Sequence, residues 1–251
     1  MGWLSRMSYR AIVKGASRSL RHARRSPLSE LRDVQDQVHI ARLLVSELYT
    51  LAERRLALPV LWSDKFPRPR GTDWSWRPEL WRGPLHERGI VADSPSNVLS
   101  HEVALFHDCN AAEVLLRQVR NTGEADLAAF GLVIEVFQFS GSYLSTAITL
   151  PAEACQGLLK RHLVRVDTVI DMESPREIYA RLNIQHGPNV EQLVRELPKS
   201  GSQTIEFDLA YSDLNEKRIE KIWLDLIFDR PHMNRIVVRD LTFCRYPRAE
   251  L

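Results

Sequence analysis

The chain has 251 residues, of which 44% are hydrophobic and 26% are charged, and these values are typical of a folded globular protein. Its formal net charge is only +2, but residues 1–25 contain seven basic side chains and no acidic one. The rest of the chain, with 27 basic and 32 acidic side chains, is therefore acidic. A basic arm and an acidic body are expected to have different partners.

The composition excludes several classes of protein. No segment approaches the roughly 20 apolar residues of a membrane-spanning helix, and basic residues interrupt every apolar run near the N-terminus, so no secretory signal is expected. The three cysteines, Cys109, Cys155 and Cys244, lack C-x-x-C spacing, which favours a reducing compartment. No nucleotide-binding or metal-binding motif is present. We therefore expect a cytoplasmic protein with no cofactor and no metal.

The first 25 residues form a predicted basic amphipathic arm. On a helical wheel its cations occupy one third of the circumference, opposite an apolar face. This pattern predicts a helix on an anionic membrane surface, peripheral at the inner membrane; docking on the acidic body or on a partner is the alternative. Nucleic acid is not favoured, because aromatic residues do not alternate with the basic ones. The predicted membrane contacts are Arg6, Arg10, Lys14, Arg18, Arg21 and Arg25.

Residues 26–58 predict a long helix. Ser26 and Pro27 suit its start and Pro59 its end. Apolar residues recur three and four positions apart between Leu31 and Ala52, as in a heptad seam. Two interpretations stay open: a homo-oligomer formed through residues 28–56, which would make the protein a structural or assembly protein, and a helix packed on its own domain.

Residues 59–84 are rich in proline and tryptophan and predict an extended linker. In an extended chain Trp74 and Trp76 point to the same side. Their rings are therefore candidates for stacking on a ligand such as a sugar; alternatively, they bury the junction between the helix and the body.

From residue 85 to 251 the pattern changes to short runs of period two, which predict a mainly β domain. Since strands do not alternate with helices, we expect an antiparallel, jelly-roll-like β-sandwich behind an N-terminal helical extension. Ser140-Gly141-Ser142 predicts a hairpin turn. The predicted strands are 100–107, 112–119, 131–139, 143–150, 163–171, 177–185, 203–210, 219–229 and 234–245.

Three of these strands have one apolar and one polar face. If they are neighbours, their polar faces form a surface with an aromatic floor and hydrogen-bonding groups, as glycan sites have; an ordinary solvent-facing surface is the alternative. The predicted ligand contacts are Tyr179, Arg181, Asn183, Asp208, Trp223 and Asp225, together with Trp74 and Trp76.

A glycosidase-type hydrolase is an alternative function. Glu206 and Asp208 lie on the same face of one predicted strand, and Asp225 or another acid would have to face Glu206 at the right separation to complete a pair of catalytic carboxylates. Position 210, where an E-x-D-x-E pattern would have its third acid, is alanine.

Several segments resemble a family of uncharacterised alphaproteobacterial proteins: Trp74–Trp81, Leu105–Cys109, Ala180–Asn189, Phe207–Tyr211, Trp223–Phe228, Arg239–Leu241 and Tyr246–Leu251. The resemblance covers residues 74–251 and implies a bacterial, non-secreted protein without a transferable activity. More distantly, the last strands are similar in pattern to jelly-roll carbohydrate-binding modules. We therefore expect a non-catalytic binding module, peripheral to the membrane through its arm, whose sandwich binds a glycan-like ligand or a protein partner.

Overall fold

The computed structural model describes residues 14–23, 26–56, 63–198 and 201–248. The chain divides into two compact units, Met1–Glu53 and Arg54–Leu251. In the first unit, residues 14–23 are helical and include Lys14, Arg18 and Arg21; the other predicted membrane contacts, Arg6, Arg10 and Arg25, lie outside the described residues. A second helix, Leu28–Leu56, begins directly after Pro27.

The second unit is mainly β, and within its described residues thirteen strands form two antiparallel sheets that pack as a sandwich. A short helix, Glu79–Arg82, and a 3₁₀ turn, Ala152–Ala154, complete it. The strands are β1 (Trp74–Trp76), β2 (Gly89–Ala92), β3 (Ser96–Val98), β4 (Val103–His107), β5 (Val114–Arg120), β6 (Phe130–Val136), β7 (Tyr143–Thr149), β8 (His162–Met172), β9 (Ile178–His186), β10 (Asn189–Leu197), β11 (Gly201–Asp208), β12 (Ile219–Asp229) and β13 (Asn234–Pro247).

The chain passes repeatedly from one sheet to the other. The first sheet has the order β11-β8-β13-β6-β5-β2, and β1 pairs with the later half of β13. The second sheet has the order β10-β9-β12-β7-β4-β3. Every strand pair is antiparallel. The predicted fold class, a jelly-roll-like β-sandwich, is therefore confirmed.

The core lies between the two sheets and follows the period-two pattern of the sequence. On β12 the inward residues Ile222, Leu224, Leu226 and Phe228 are at most 2% exposed. On β9 the inward residues from Ile178 to Ile184 are completely buried. Because successive side chains of a strand point to opposite faces, the polar residues between them face outward, which is the orientation that the sequence predicts.

The predicted hairpin at Ser140-Gly141-Ser142 is wrong. It would join β6 to β7, but β6 lies in the first sheet and β7 in the second, so these residues belong to a crossover between the sheets. Asp108 holds the crossover in place: its carboxylate accepts hydrogen bonds from Ser142 N at 2.8 Å, Ser142 Oγ at 2.6 Å and Tyr143 N at 3.3 Å. The Ser142 hydroxyl is the largest cause of a lowered pKa at Asp108.

The segment 59–84, expected to be an extended linker, contains strand β1 and the helix Glu79–Arg82. Trp81 on this helix is 1% exposed, and its indole Nε1 donates a hydrogen bond to Val238 O at 2.9 Å. A tryptophan buried with its N–H satisfied anchors a segment through a large apolar area. Residues 74–84 are therefore held against β13 of the first sheet.

Candidate functional site

A groove of about 830 Å³ opens on the outer face of the second sheet. Four neighbouring strands, β4, β7, β12 and β9, supply its residues, so it lies on a regular part of the sheet and not in a loop. The groove is lined by Ala104, Phe106, Tyr143, Ser145, Ala147, Thr149, Arg181, Lys221, Trp223, Asp225 and Ile227.

Small side chains create the depression. Ala104 and Ala147 are register partners, and Asp225 lies beside Ala147 in the same row. Phe106 lies two residues from Ala104 on one side of this row, and Trp223 lies two residues from Asp225 on the other side. At about 3.3 Å per residue, these two rings are separated by about 13 Å along the strand direction. The alanine row is thus a low floor between two aromatic walls.

An ion pair lies at the middle of the groove. Arg181 donates from Nε at 3.0 Å and from Nη2 at 2.8 Å, and both bonds go to Asp225 Oδ2. Asn183 Nδ2 donates to the same oxygen at 2.9 Å. The other carboxylate oxygen, Oδ1, receives no hydrogen bond from the described residues. It is therefore a charged acceptor that a ligand hydroxyl can use.

Asn183 acts beneath the groove and not inside it. The residue is completely buried, and its Oδ1 accepts a hydrogen bond from Gln192 Nε2 at 3.1 Å. Its amide thus links β10, β9 and β12 and fixes the orientation of Asp225. Although we expected Asn183 to contact a ligand, the structure gives it a supporting position.

Tyr179 shares the outer face of the second sheet but does not line the groove. It lies beside Ile227 in the register, and its hydroxyl donates to Glu177 Oε2 at 2.9 Å. This hydrogen bond is the largest cause of a raised pKa at Tyr179.

Glu206 and Asp208 lie on the other side of the sandwich. They point outward from β11 in the first sheet, where Glu206 accepts a hydrogen bond from Tyr246 and Asp208 pairs with Arg248 at 3.4 Å. Asp225 points outward from the second sheet, so the core separates it from both. The condition that Asp225 face Glu206, on which a hydrolase using these carboxylates depends, is not met, because β11 and β12 lie in different sheets. Alternation along a strand predicts the face of a sheet but not which sheet the strand joins.

Trp74 and Trp76 also belong to the first sheet. Their rings pack on the hydrophobic core, and the Trp76 ring centroid is 5.5 Å from that of Phe243. The structure therefore places them away from the groove, on strand β1 against the core of the second unit.

The sequence pattern did not identify Phe106, Tyr143, Ser145 or Lys221 as site residues. Phe106 and Tyr143 are 39% and 40% exposed. A signal is present in β7, where Tyr143, Ser145, Ala147 and Thr149 alternate with Leu144, Thr146 and Ile148. Apart from Tyr143, the side chains on the outer face of this strand are small, and they leave the space that forms the groove.

One cluster has the residue types of a metal site, although we expected no metal. Donor atoms of Glu79, His101 and Glu102 lie within 4.8 Å of one another. The two ring nitrogens of His101 face different carboxylates, at 3.9 Å from Glu79 Oε2 and 3.5 Å from Glu102 Oε1. Contacts of the His101 ring with the two carboxylates account for this geometry without a metal ion. Burial raises the pKa of Glu102.

Among the described residues, no helix combines the length and apolar character that crossing a bilayer requires.

The two sheets and the groove define this chain as a jelly-roll-like β-sandwich protein with a groove on one sheet face. It belongs to the family of unknown function DUF6478, whose model matches residues 1–251. A search of curated protein sequences finds no match.

Solved structures with a similar chain path include carbohydrate-active proteins. A family 11 carbohydrate-binding module from Clostridium thermocellum, in complex with a β-1,3-1,4-mixed-linked tetrasaccharide, is 17% identical; the match covers 61% of this chain and 92% of that one, with a TM-score of 0.40. The CBM22-1-GH10 modules of the Clostridium thermocellum xylanase 10B, complexed with xylohexaose, are 10% identical (66% and 30% covered, TM-score 0.38). Tailspike protein 4 of bacteriophage CBA120 is 7% identical (63% and 21% covered, TM-score 0.41).

Proposed function

We propose that this protein is a non-catalytic binding module whose groove on the second sheet takes a saccharide. The observation that carries the proposal is the combination, on one rigid sheet face, of exposed aromatic rings with hydrogen-bonding groups that the protein leaves unused. Sheet-borne side chains hold their positions better than loop-borne ones, so the site is formed before a ligand arrives.

The groove matches the two-sided chemistry of a sugar. A sugar ring has apolar C–H faces and an edge of hydroxyl groups. Trp223 and Phe106 supply flat apolar surfaces for the faces. Asp225 Oδ1 is available to accept a hydrogen bond from a hydroxyl, and Arg181 is placed to donate to one.

Binding without catalysis follows from the charges. Among the residues that the structure describes, Asp225 is the single carboxylate that lines the groove, whereas most glycoside hydrolases place two carboxyl groups on either side of the bond that they cleave. Glu206 and Asp208 cannot supply the second one, because they lie across the core.

The test is binding to a panel of oligosaccharides, measured by calorimetry on the full chain. We expect Trp223→Ala and Asp225→Asn to weaken binding to the best ligand by more than tenfold, as loss of a stacked ring or a charged acceptor does (about 1.4 kcal/mol or more). Tyr211→Ala is the matched control, since Tyr211 is 83% exposed and outside the groove. Equal affinities for Trp223→Ala and the unsubstituted protein would exclude the groove as the binding site.

We further propose that the basic arm attaches the protein to an anionic membrane surface. Lys14, Arg18 and Arg21 recur four and three positions apart and are exposed on the helical residues 14–23, which also carry Leu20 at 62% exposure. Each basic residue near an anionic bilayer contributes about 1 kcal/mol.

Co-sedimentation with phosphatidylglycerol vesicles tests the attachment. Replacing Lys14, Arg18 and Arg21 by Gln should reduce the bound fraction at least tenfold. Replacing the exposed Arg120, Arg161 and Arg218 by Gln gives a control with the same net charge and should have little effect. Equal losses for the two triple variants, or equal binding to neutral phosphatidylcholine vesicles, would refute the arm as an anchor.

A further inference from the structure

The groove contains one cation that none of the described residues neutralises. The charges of Arg181 and Asp225 offset each other, since the two side chains are paired at 2.8 Å. Lys221, also in the lining, makes no ion pair with any described residue. Its contact is with the Trp223 ring, whose centroid is 5.5 Å from Nζ. The lining therefore has a surplus positive charge beside its largest aromatic ring.

Hydrogen-bond donors without partners also favour an anionic ligand. Arg181 Nη1 makes no hydrogen bond within the described part of the chain. Ser145 is 4% exposed and lines the floor, and its Oγ is buried with no partner among the described residues. Against these donors and the Lys221 ammonium, the lining offers one charged acceptor, Asp225 Oδ1. A buried polar atom without a partner costs free energy until a ligand satisfies it.

The position of Lys221 decides between neutral and charged ligands. A sugar ring that stacks on Trp223 must either displace the ammonium from the indole or lie against it and remove part of its water. Removing water from a charge is unfavourable unless an opposite charge replaces it. A neutral sugar provides no such charge, whereas a carboxylate or sulfate substituent does.

We propose that the ligand of the groove is an acidic saccharide, whose anionic substituent pairs with Lys221 while its ring stacks on Trp223. Arg181 Nη1 donates a second hydrogen bond, either to the same sugar residue or to the next one. This inference rests on the proposed saccharide binding and specifies the chemical class of the ligand.

The experiment compares matched pairs of ligands by calorimetry on the full chain. Oligogalacturonate, alginate and carrageenan fragments are each measured beside the carboxyl-reduced or desulfated counterpart, which is neutral. The two kinds of acid separate a carboxylate from a sulfate as the recognised group. We expect an acidic member to bind at least about tenfold more tightly than its neutral counterpart. Its affinity should fall as NaCl is raised, because salt screens an exposed ion pair.

Substitutions at Lys221 make the test specific. Lys221→Met should abolish the preference for the acidic member, and Lys221→Arg should keep it. Lys217→Met is the control, because Lys217 is exposed and outside the groove. A preference that survives Lys221→Met, or neutral ligands that bind as tightly as acidic ones, would overturn the inference and leave saccharide binding intact. If no ligand of either kind binds, the proposed function itself fails.

Discussion

Arg77 and Asp240 form a bidentate ion pair that joins the segment after β1 to the centre of the first sheet. Arg77 is completely buried, and its Nε and Nη2 donate to the two carboxylate oxygens of Asp240 at 3.0 and 2.8 Å. Arg77 Nη1 also donates to Ser63 O at 2.8 Å. Desolvation is the largest influence on Asp240 and raises its pKa above the ordinary 3.8, although Arg77 opposes it.

Arg77→Met should destabilise the protein by about 3–5 kcal/mol at neutral pH, because it leaves a buried carboxylate without its partner. A group whose folded pKa is raised favours the folded state at low pH and loses that contribution as pH rises. The deficit of the variant should therefore be smallest at low pH, where Asp240 is protonated in both proteins. It should increase above the raised pKa that Asp240 has in the unsubstituted protein, because loss of Arg77 raises that pKa further. Urea unfolding across this range measures it.

The double variant Arg77→Met, Asp240→Leu is the control for that experiment. It removes the charge together with its partner and should recover most of the lost stability. A deficit that does not change with pH in the single variant would show that lost packing is responsible, and not the unpaired charge of Asp240.

Asp108→Asn should weaken the crossover between β6 and β7. The lowered pKa of Asp108 means that its contribution to stability is present above pH 3.8 and disappears as pH falls through the folded value. We expect a loss of about 1 kcal/mol at pH 7, as for a few exposed hydrogen bonds, and none at pH 2. Asp213→Asn, at an exposed loop position, should show no such pH-dependent difference in denaturant unfolding.

Gly141→Ala should destabilise the same crossover by about 1–3 kcal/mol through overpacking. A Cβ at this position would overlap the Asp108 carboxylate and lie 3.0 Å from Cys109 N. Gly15→Ala is the comparison, because nothing lies within 4 Å of its Cβ position, and an added methyl in a helix is stabilising by roughly 0.5–1 kcal/mol. Thermal unfolding should move in opposite directions for the two variants, and a parallel shift would contradict the packing argument.

Asn183→Leu should act on both stability and binding. It removes the amide that donates to Asp225 and accepts from Gln192, so a loss of about 1–3 kcal/mol is expected. Because Asp225 then loses one of the three hydrogen bonds that orient its carboxylate, saccharide affinity should also fall, although Asn183 does not line the groove. Gln185→Leu, two positions along the same face, should leave affinity unchanged; calorimetry and urea unfolding on both variants provide the comparison.

The helix Leu28–Leu56 carries an exposed apolar seam, in which Val38, Val45 and Leu48 are 57–63% exposed. If two chains pair through it, the double variant Val45→Glu, Leu48→Glu should reduce the mass measured by light scattering to that of one chain. His39→Glu, on the opposite side of the helical wheel, should not. A single-chain mass for the unsubstituted protein would end the assembly hypothesis.

Sequence patterns predicted strand faces well and strand neighbours poorly. The bounds of β12 agree with the predicted 219–229, since burial against a core imposes strict alternation. Strand β10 was not predicted, because it is an edge strand whose two faces are both largely exposed. Its apolar residues, Val190, Leu193, Val194 and Leu197, therefore do not follow a period of two.

The site was predicted only in part, because the sequence pattern gives the face of each strand but not its neighbours. Arg181, Trp223 and Asp225 lie together because β9 and β12 are adjacent in one sheet. Asp208 was grouped with them from its strand face alone, and only the topology shows that β11 belongs to the other sheet. The small residues of the groove could not be predicted from the sequence. Alanine and serine form a depression only when bulky side chains lie on both sides of them, and those side chains come from other strands.

The central position of β13 has a consequence for folding during synthesis. This strand lies between β8 and β6, and also pairs with β1, yet it is the last of the thirteen to be synthesised. Until the ribosome has released residues 234–247, β8 with β11 and β6 with β5 and β2 are two separate half-sheets with unpaired inner edges. Until β13 pairs with β8 and β6, the nascent chain can form wrong strand pairs. Chains truncated before residue 234 are therefore expected to aggregate.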